Sequence, residues 1–266
     1  MRKLLIATSR GPHMHEIGSY WYLGPQAQEN ILSGNAKSNP FKLVRKIKLD
    51  DAYQKYCRLL EAKGASFDFL GHTGEGATLL VGEGNLSFAL SLAKTNPRRA
   101  SNLLATTFES RVDISNSAKR NASYIRSLGS SVEYSIDATK LNNHFSSKRF
   151  HLIIFQFPNV HSRNPVYGRN PNHVMIRRFL KSAAGCLLPT GLVAISIVNS
   201  PYYLGAFNLP DAGKMAGLNK PEVYPFRPSD FSGYTHVNTE GPDSAITKYD
   251  SFSTWVFQLR HQTHHG

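Results

Sequence analysis

From residue 77 onward the chain alternates short apolar runs with longer stretches whose apolar residues recur at helical spacing. The first run is TLLV, residues 78–81, closed by Gly82-Glu83-Gly84; Leu86, Phe88, Ala89, Leu90, Leu92 and Ala93 then continue as an apolar helix. Residues 103–108 repeat the strand pattern. Ile114, Ala118, Ala122, Ile125 and Leu128 form a helical stripe that Gly129 closes. Further strands are predicted at 132–136 and at 152–157, LIIFQF, which Pro158 stops. A helix over 172–184 leads through a turn at Pro189-Thr190-Gly191 to a fifth strand at 192–198, and late strands fall at 223–226 and 255–259. Strands alternating with helices predict an α/β fold: a mostly parallel sheet with helices on both faces.

The first 72 residues break this rhythm. A strand is predicted at 3–8, an aromatic packing cluster at 19–23 (SYWYL), and a loop at 30–40, where Asn, Ser, Gly and Pro accumulate. Residues 41–49, FKLVRKIKL, form a basic strand or arm; Asp50 or Asp51 then caps a helix with the stripe Tyr53, Cys57 and Leu60, ending near Gly64. The organisation expected is a basic, loop-rich appendage at 1–72, a main domain at 73–260 and a disordered tail at 261–266. His261, His264 and His265 in that tail lack nearby carboxylates or cysteines, so no metal site is expected there or elsewhere.

In an open parallel sheet a ligand sits beyond the carboxyl ends of the strands, so the residues after each strand carry the functional reading. The first strand ends in Gly82-Glu83-Gly84-Asn85, where glycines let backbone amides approach a ligand at the start of a helix. After the second stands Glu109, placed to accept hydrogen bonds from both hydroxyls of a ribose. After the third stands Asp137, placed to meet the amino edge of an adenine. The dull alternative for both acids is helix capping. After the fourth comes Gln156-Phe157-Pro158-Asn159, a polar and aromatic tip suited to a planar substrate. Acids about 27 and 28 residues apart after a glycine turn point to a nucleoside-bearing cofactor. Ser87 stands where the dinucleotide fingerprint needs its third glycine, which favours S-adenosylmethionine over NAD.

Net charge sharpens the substrate side. The formal charge is +13, and no Asp or Glu lies between Asp137 and Asp211, while Lys140, Lys148, Arg149, Arg163, Arg169, Arg177, Arg178 and Lys181 do. Such an interval is either a solvated basic face or a surface for a polyanion. No apolar run approaches the roughly 18 residues that cross a bilayer, and the opening MRKLLIA is too short in apolar residues for a secretion signal. Cys57 and Cys186 read as small buried hydrophobes, which fits a reducing compartment. A cytoplasmic protein without a membrane partner is expected, nucleolar in a eukaryote.

The segments LLVGEGNLSFALSLA, ATTFES, IDAT followed by Lys140-Leu141, LIIFQFPN, SPYYL and FSGYTH resemble the Rossmann-like family of the 25S rRNA (uridine-N3)-methyltransferase. The likeness runs from about Thr78 to Leu259. It implies a class I methyltransferase fold with a seven-stranded sheet. It also implies S-adenosylmethionine held by Gly82, Glu83, Gly84, Glu109 and Asp137, with Asn85, Ser87, Phe88 and Ala138 beside them, and a uridine base of ribosomal RNA as methyl acceptor. Two positions depart from the family pattern. Its tip usually reads Asn-Phe-Pro-His, and its fifth strand usually runs into a lysine-bearing turn, where this chain has Val198-Asn199-Ser200. Both lie on the substrate side, so the resemblance bears more on the cofactor than on the acceptor. On this reading Gln156 and Asn159, at the Pro158 turn, orient the base, Phe157 stacks on it and His161 takes its proton; Arg163, Tyr167, Arg169, Tyr202, Tyr234 and His236 hold the RNA. The alternatives left open are a transferase acting on a small anionic or amine metabolite and a non-catalytic RNA-binding module.

Overall fold

The structure is a computed structural model that describes residues 14–17, 20–23, 56–58, 60–160, 162, 164–166, 168–237, 247 and 249–260. A short hairpin, β1 (Met14–Ile17) and β2 (Tyr20–Leu23), precedes helix α1 (Phe69–Glu75). The main sheet follows as β3 (Thr78–Val81), β4 (Leu103–Thr106), β5 (Ser131–Glu133), β6 (Phe150–Gln156), β7 (Leu187–Val198), β8 (Glu222–Pro225) and β9 (Phe252–Gln258). Its helices are α2 (Ser87–Thr95), α3 (Asn116–Ser127), α4 (Leu141–His144), α5 (Pro171–Ala184), α6 (Pro201–Phe207) and α7 (Leu209–Met215).

The strand order is β5-β4-β3-β6-β7-β9-β8. Strands β3 to β7 pair in parallel, and β9 runs antiparallel to both β7 and β8. Strand order reverses between β3 and β6, which makes their carboxyl ends the switch point where open α/β sheets hold ligands. This is the class I methyltransferase fold. Because β3 and β4 are buried on both faces, they read as continuous apolar runs rather than alternating ones. On one face Leu80, Leu152 and Ile154 pack with Phe88, Leu92, Ala118 and Ile125 of α2 and α3. On the other, Leu79, Val81, Ile153 and Phe155 pack with Ile176, Phe179 and Leu180 of α5.

Strand ends differ from the sequence reading where the backbone turns early. The second strand stops at Thr106 and leaves Phe108 66% exposed; the third stops at Glu133, before Ser135 adopts φ 59°. Pro189-Thr190-Gly191 is not a turn before a strand. It lies within β7 as a bulge, since Leu187 pairs with Phe150 and Leu192 with Leu152.

Residues 56–58 and 60–63 are helical, but Tyr56 is buried where the stripe called for Cys57. Tyr56 stacks on Trp255 and its hydroxyl hydrogen-bonds Ser253 and Asn199. Phe67 and Phe69 join the core around Phe88, and the boundary drawn after His72 falls inside α1. The strand at 3–8, the loop at 30–40, the basic arm at 41–49 and the tail at 261–266 lie outside the described residues. Cys186 is a fully buried thiol whose Sγ donates to Asn142 Oδ1 at 3.2 Å. Among the described residues no helix is long and apolar enough to cross a membrane.

Candidate active site

The chain leaves β3 through Gly82, whose φ of +63° lies in the left-handed region; a Cβ there would stand 2.6 Å from the Phe155 ring of β6. Glycine is the residue that fits both constraints. The next amide, Glu83 N, donates to Thr106 O of β4 at 3.0 Å and so ties the loop to the neighbouring strand end. The Glu83 side chain turns inward, where its Oε2 accepts from Ala89 N in the first turn of α2 at 3.2 Å. Burial pushes its pKa from 4.5 up to about 7, with the amides of Ala89 and Phe88 pulling the other way. Glu83 therefore braces the helix start from below rather than facing a ligand, a correction to the sequence reading.

Asn85 and Ser87 are likewise committed to the protein. Asn85 Nδ2 donates to Thr235 O at 2.9 Å and to Thr235 Oγ1 at 3.0 Å, while its Oδ1 accepts from Ser87 N. Ser87 Oγ donates to Thr235 O at 2.7 Å and accepts from Thr235 N at 3.0 Å. Val237 Cγ2 would lie 3.1 Å from a Cβ on Gly84. The FSGYTH segment is thus strapped over the glycine loop and walls one side of it. Sequence reasoning picked out Tyr234 and His236 in that segment and missed Thr235, and Val237 just after it, the residues that make the contact. Replacing Asn85 by alanine leaves the Thr235 carbonyl and the Ser87 amide short of partners. It is expected to destabilise the fold by about 1–3 kcal/mol, measured by denaturant unfolding.

Phe88 is fully buried among Phe69, Phe226, Phe231 and Tyr234, so its ring serves the core and not a cofactor. Tyr234 joins this cluster with a hydroxyl sealed from solvent and, among the described residues, without a hydrogen-bond partner. Burial, and then the Glu83 charge, drive its pKa well above 10.

The two acids after β4 and β5 behave differently. Asp137 Oδ1 accepts from Thr139 N at 2.9 Å and Thr139 Oγ1 at 2.7 Å, and Lys140 Nζ lies 3.3 Å from Oδ2. Partial burial alone raises its pKa, but the Thr139 hydrogen bonds and the Lys140 charge outweigh it and hold the carboxyl below its usual range. The capping alternative is what the structure has at Asp137; Ala138 is buried just after it. Glu109 caps no helix. The cap of α3 is Ser115, and among the described residues no hydrogen bond or ion pair engages the Glu109 carboxylate.

At the end of β6, Gln156 is buried, and among the described residues neither Oε1 nor Nε2 has a hydrogen-bond partner. It follows Leu152 and Ile154 on the α2 face of the sheet. An unpaired buried amide costs roughly 1–3 kcal/mol, which a ligand bonding to it would recover. Phe157 adopts φ 47° and packs on Phe226, Phe252 and His236 at ring distances of 5.6, 5.5 and 5.0 Å. It is core, so the base-stacking role read from the sequence does not hold. Pro158 is buried, Asn159 exposed, and Val160 N donates to Asn172 Oδ1 at the start of α5. Arg169 is exposed and Tyr202 lies on α6 against Tyr203. His161, Arg163 and Tyr167 lie outside the described residues. The departing Asn199-Ser200 turn is structural: Asn199 Oδ1 accepts from Ser253 and Tyr56, and Ser200 caps α6.

The decisive observation is a match of the sequence profile described as rRNA (uridine-N3-)-methyltransferase BTM5-like to residues 79–238, more than half of the chain. The chain belongs to the BTM5-like family. It is accordingly an S-adenosylmethionine-dependent RNA methyltransferase. The BTM5-like match spans the glycine loop, both acids, the Gln156 tip and the FSGYTH strap, so the packed segments are also the family's segments. The chain is 29% identical over 168 residues to an Arabidopsis thaliana protein described as uncharacterized, covering 59% of this chain and 78% of that one. It is 27% identical over 182 residues to human ferredoxin-fold anticodon-binding domain-containing protein 1, covering 63% of this chain but only 28% of the human protein. Among solved structures it is similar to TrmN from Thermus thermophilus, with 16% identity, TM-score 0.45, and coverage of 72% of this chain and 47% of that one.

Proposed function

We propose that this BTM5-like chain methylates ring nitrogen 3 of a uridine in ribosomal RNA, with the base read by Gln156. The observation that carries the reading is the buried, unpartnered Gln156 amide at the switch point. A primary amide offers one acceptor and two donors, and a uracil edge offers an N–H between two carbonyl acceptors, so the two are complementary.

The cofactor side fits an adenosyl sulfonium. Gly82 and Gly84 let the loop backbone turn tightly against Phe155 and Val237 at the start of α2, and the Glu109 carboxylate beyond the end of β4 suits a ribose diol. When bound, S-adenosylmethionine supplies an electrophilic methyl group. It would give that methyl group to N3 and keep the electron pair of its C–S bond on sulfur. The protein's part is alignment of the two, exclusion of water and removal of the N3 proton. Gln156 Nε2 donates to a uracil carbonyl oxygen and stabilises the negative charge that loss of the proton develops there. Asn159 orients the base from the loop, and His161, two residues on, accepts the proton. Exposed Arg169, Arg178 and Lys181, with Arg163, contact phosphates in the acid-free interval.

The test is to incubate the protein with methyl-labelled cofactor and ribosomal RNA, digest the RNA and separate the nucleosides. Label in 3-methyluridine is expected. Label in another nucleoside, or only in a metabolite extract offered in parallel, overturns the acceptor assignment.

A further inference from the structure

At the opposite, amino-terminal edge of the sheet, His72 and Glu75 of α1 meet His151 of β6. Glu75 Oε2 lies 3.2 Å from His72 Nδ1 and 2.7 Å from His151 Nε2, and the ligand atoms of all three residues lie within 4.8 Å of one another. We propose that these three residues bind a divalent cation of the Zn²⁺ class that fastens α1 to β6, a site separate from the methyl-transfer centre.

Four features argue for a metal rather than a simple ion pair. Two imidazoles and a carboxylate are the donor set of many zinc centres with an open position. Zinc bonds of about 2.0–2.2 Å at tetrahedral angles put ligand atoms roughly 3.3 Å apart, and small side-chain shifts reach that from the 3.2 and 2.7 Å contacts of Glu75 and the 4.8 Å limit on the three atoms. Among the described residues His151 Nε2 is sealed from solvent and has no aligned hydrogen-bond partner, although Glu75 Oε2 lies 2.7 Å away, so the ring nitrogen and the carboxylate face each other with room for a shared cation. The frame is also built. Phe67 stacks on His72 at 4.9 Å, and Asn102 Nδ2 donates to Thr73 O of α1. Gly76 leaves room for His151, whose Cβ would be 2.9 Å from a Cβ at that position, and His151 N donates to Ala77 O.

The three residues come from sequence positions that no local pattern links. His72 and Glu75 are one helical turn apart, and His151 reaches them only because β6 pairs with β3. Since α1 runs through Gly76-Ala77 directly into β3, an ion here fixes the start of the strand whose far end is the glycine loop.

Calorimetric titration of the full chain with Zn²⁺ tests the proposal, read alongside Co²⁺ absorption. One site is expected, with affinity at least about tenfold weaker in both Glu75→Gln and His151→Ala, and with the visible bands of tetrahedral Co²⁺ lost in both. Glu75 is 57% exposed in its side chain, so its variant keeps the fold even where His151→Ala does not. A variant with His261, His264 and His265 all changed to alanine should bind as the parent does. Equal Zn²⁺ affinity in the parent and the Glu75→Gln variant, or loss of binding in the tail variant alone, overturns the site.

Discussion

Gln156→Leu is expected to lower kcat/KM for RNA methylation by about 10²–10³-fold while leaving cofactor affinity within about twofold, because it removes a charge-stabilising donor from the acceptor side. The same substitution is expected to raise stability by about 1–3 kcal/mol, since it takes an unpaired amide out of the protein interior and puts an apolar group of similar volume in its place. The two effects oppose each other, and that opposition marks a polar group kept for function rather than for folding. Steady-state kinetics with labelled cofactor and denaturant unfolding measure them. A variant that is as active as the parent, or one that loses stability, contradicts the role given to Gln156.

Glu83→Gln is expected to change how stability depends on pH. The folded-state pKa of Glu83 is raised from 4.5 to about 7, so between those values the folded protein holds a proton that the unfolded chain releases. Its folded state is therefore favoured most below about pH 4.5 and loses that advantage as pH rises to about 7. With each pKa unit equal to about 1.4 kcal/mol, the loss amounts to about 3 kcal/mol. Glutamine still accepts from Ala89 N and carries no charge to desolvate. Unfolding free energies at pH 8 should accordingly be higher for the variant by up to about 3 kcal/mol. Below about pH 4.5 the two should converge. His173 contributes in the opposite sense, as burial lowers its pKa, against the pull of the Phe207 carbonyl and Asp211; its stabilising effect is lost as pH falls below its unfolded value. A variant whose advantage is the same at both pH values would show that Glu83 is not the titrating group.

The fold was legible because the central strands are buried on both faces and the helices α2, α3 and α5 keep one apolar stripe each, so period and length gave the strands of the main sheet and those three helices, while the short helices α4, α6 and α7 went unread. The glycine loop and Glu109 were legible only as strand-end residues, the positions beyond which open α/β sheets hold ligands. What could not be read was side-chain direction. Phe88 and Phe157 sit in motifs that suggest ligand contact, yet the aromatic cluster with Phe226 takes both. Asn85 and Ser87 are 150 and 148 residues from Thr235 in sequence, and only the completed fold sets them in hydrogen-bond reach of it. Pro189-Thr190-Gly191 carried a turn signal, but the pairing of β7 with β6 on either side absorbed it as a bulge. Asp137 looked like Glu109 in sequence; Thr139 two residues on made it a cap.

Titration of the folded protein with S-adenosylmethionine in a calorimeter tests most directly whether the carboxyl ends of β3 and β4 form the methyl-donor site. One molecule should bind per chain. Because Glu109 would make charge-assisted hydrogen bonds of about 1.5–3 kcal/mol to the ribose, Glu109→Ala should weaken binding at least about tenfold with its thermal midpoint unchanged. Binding of equal strength in that variant, or no heat of binding to the folded parent, would contradict the account.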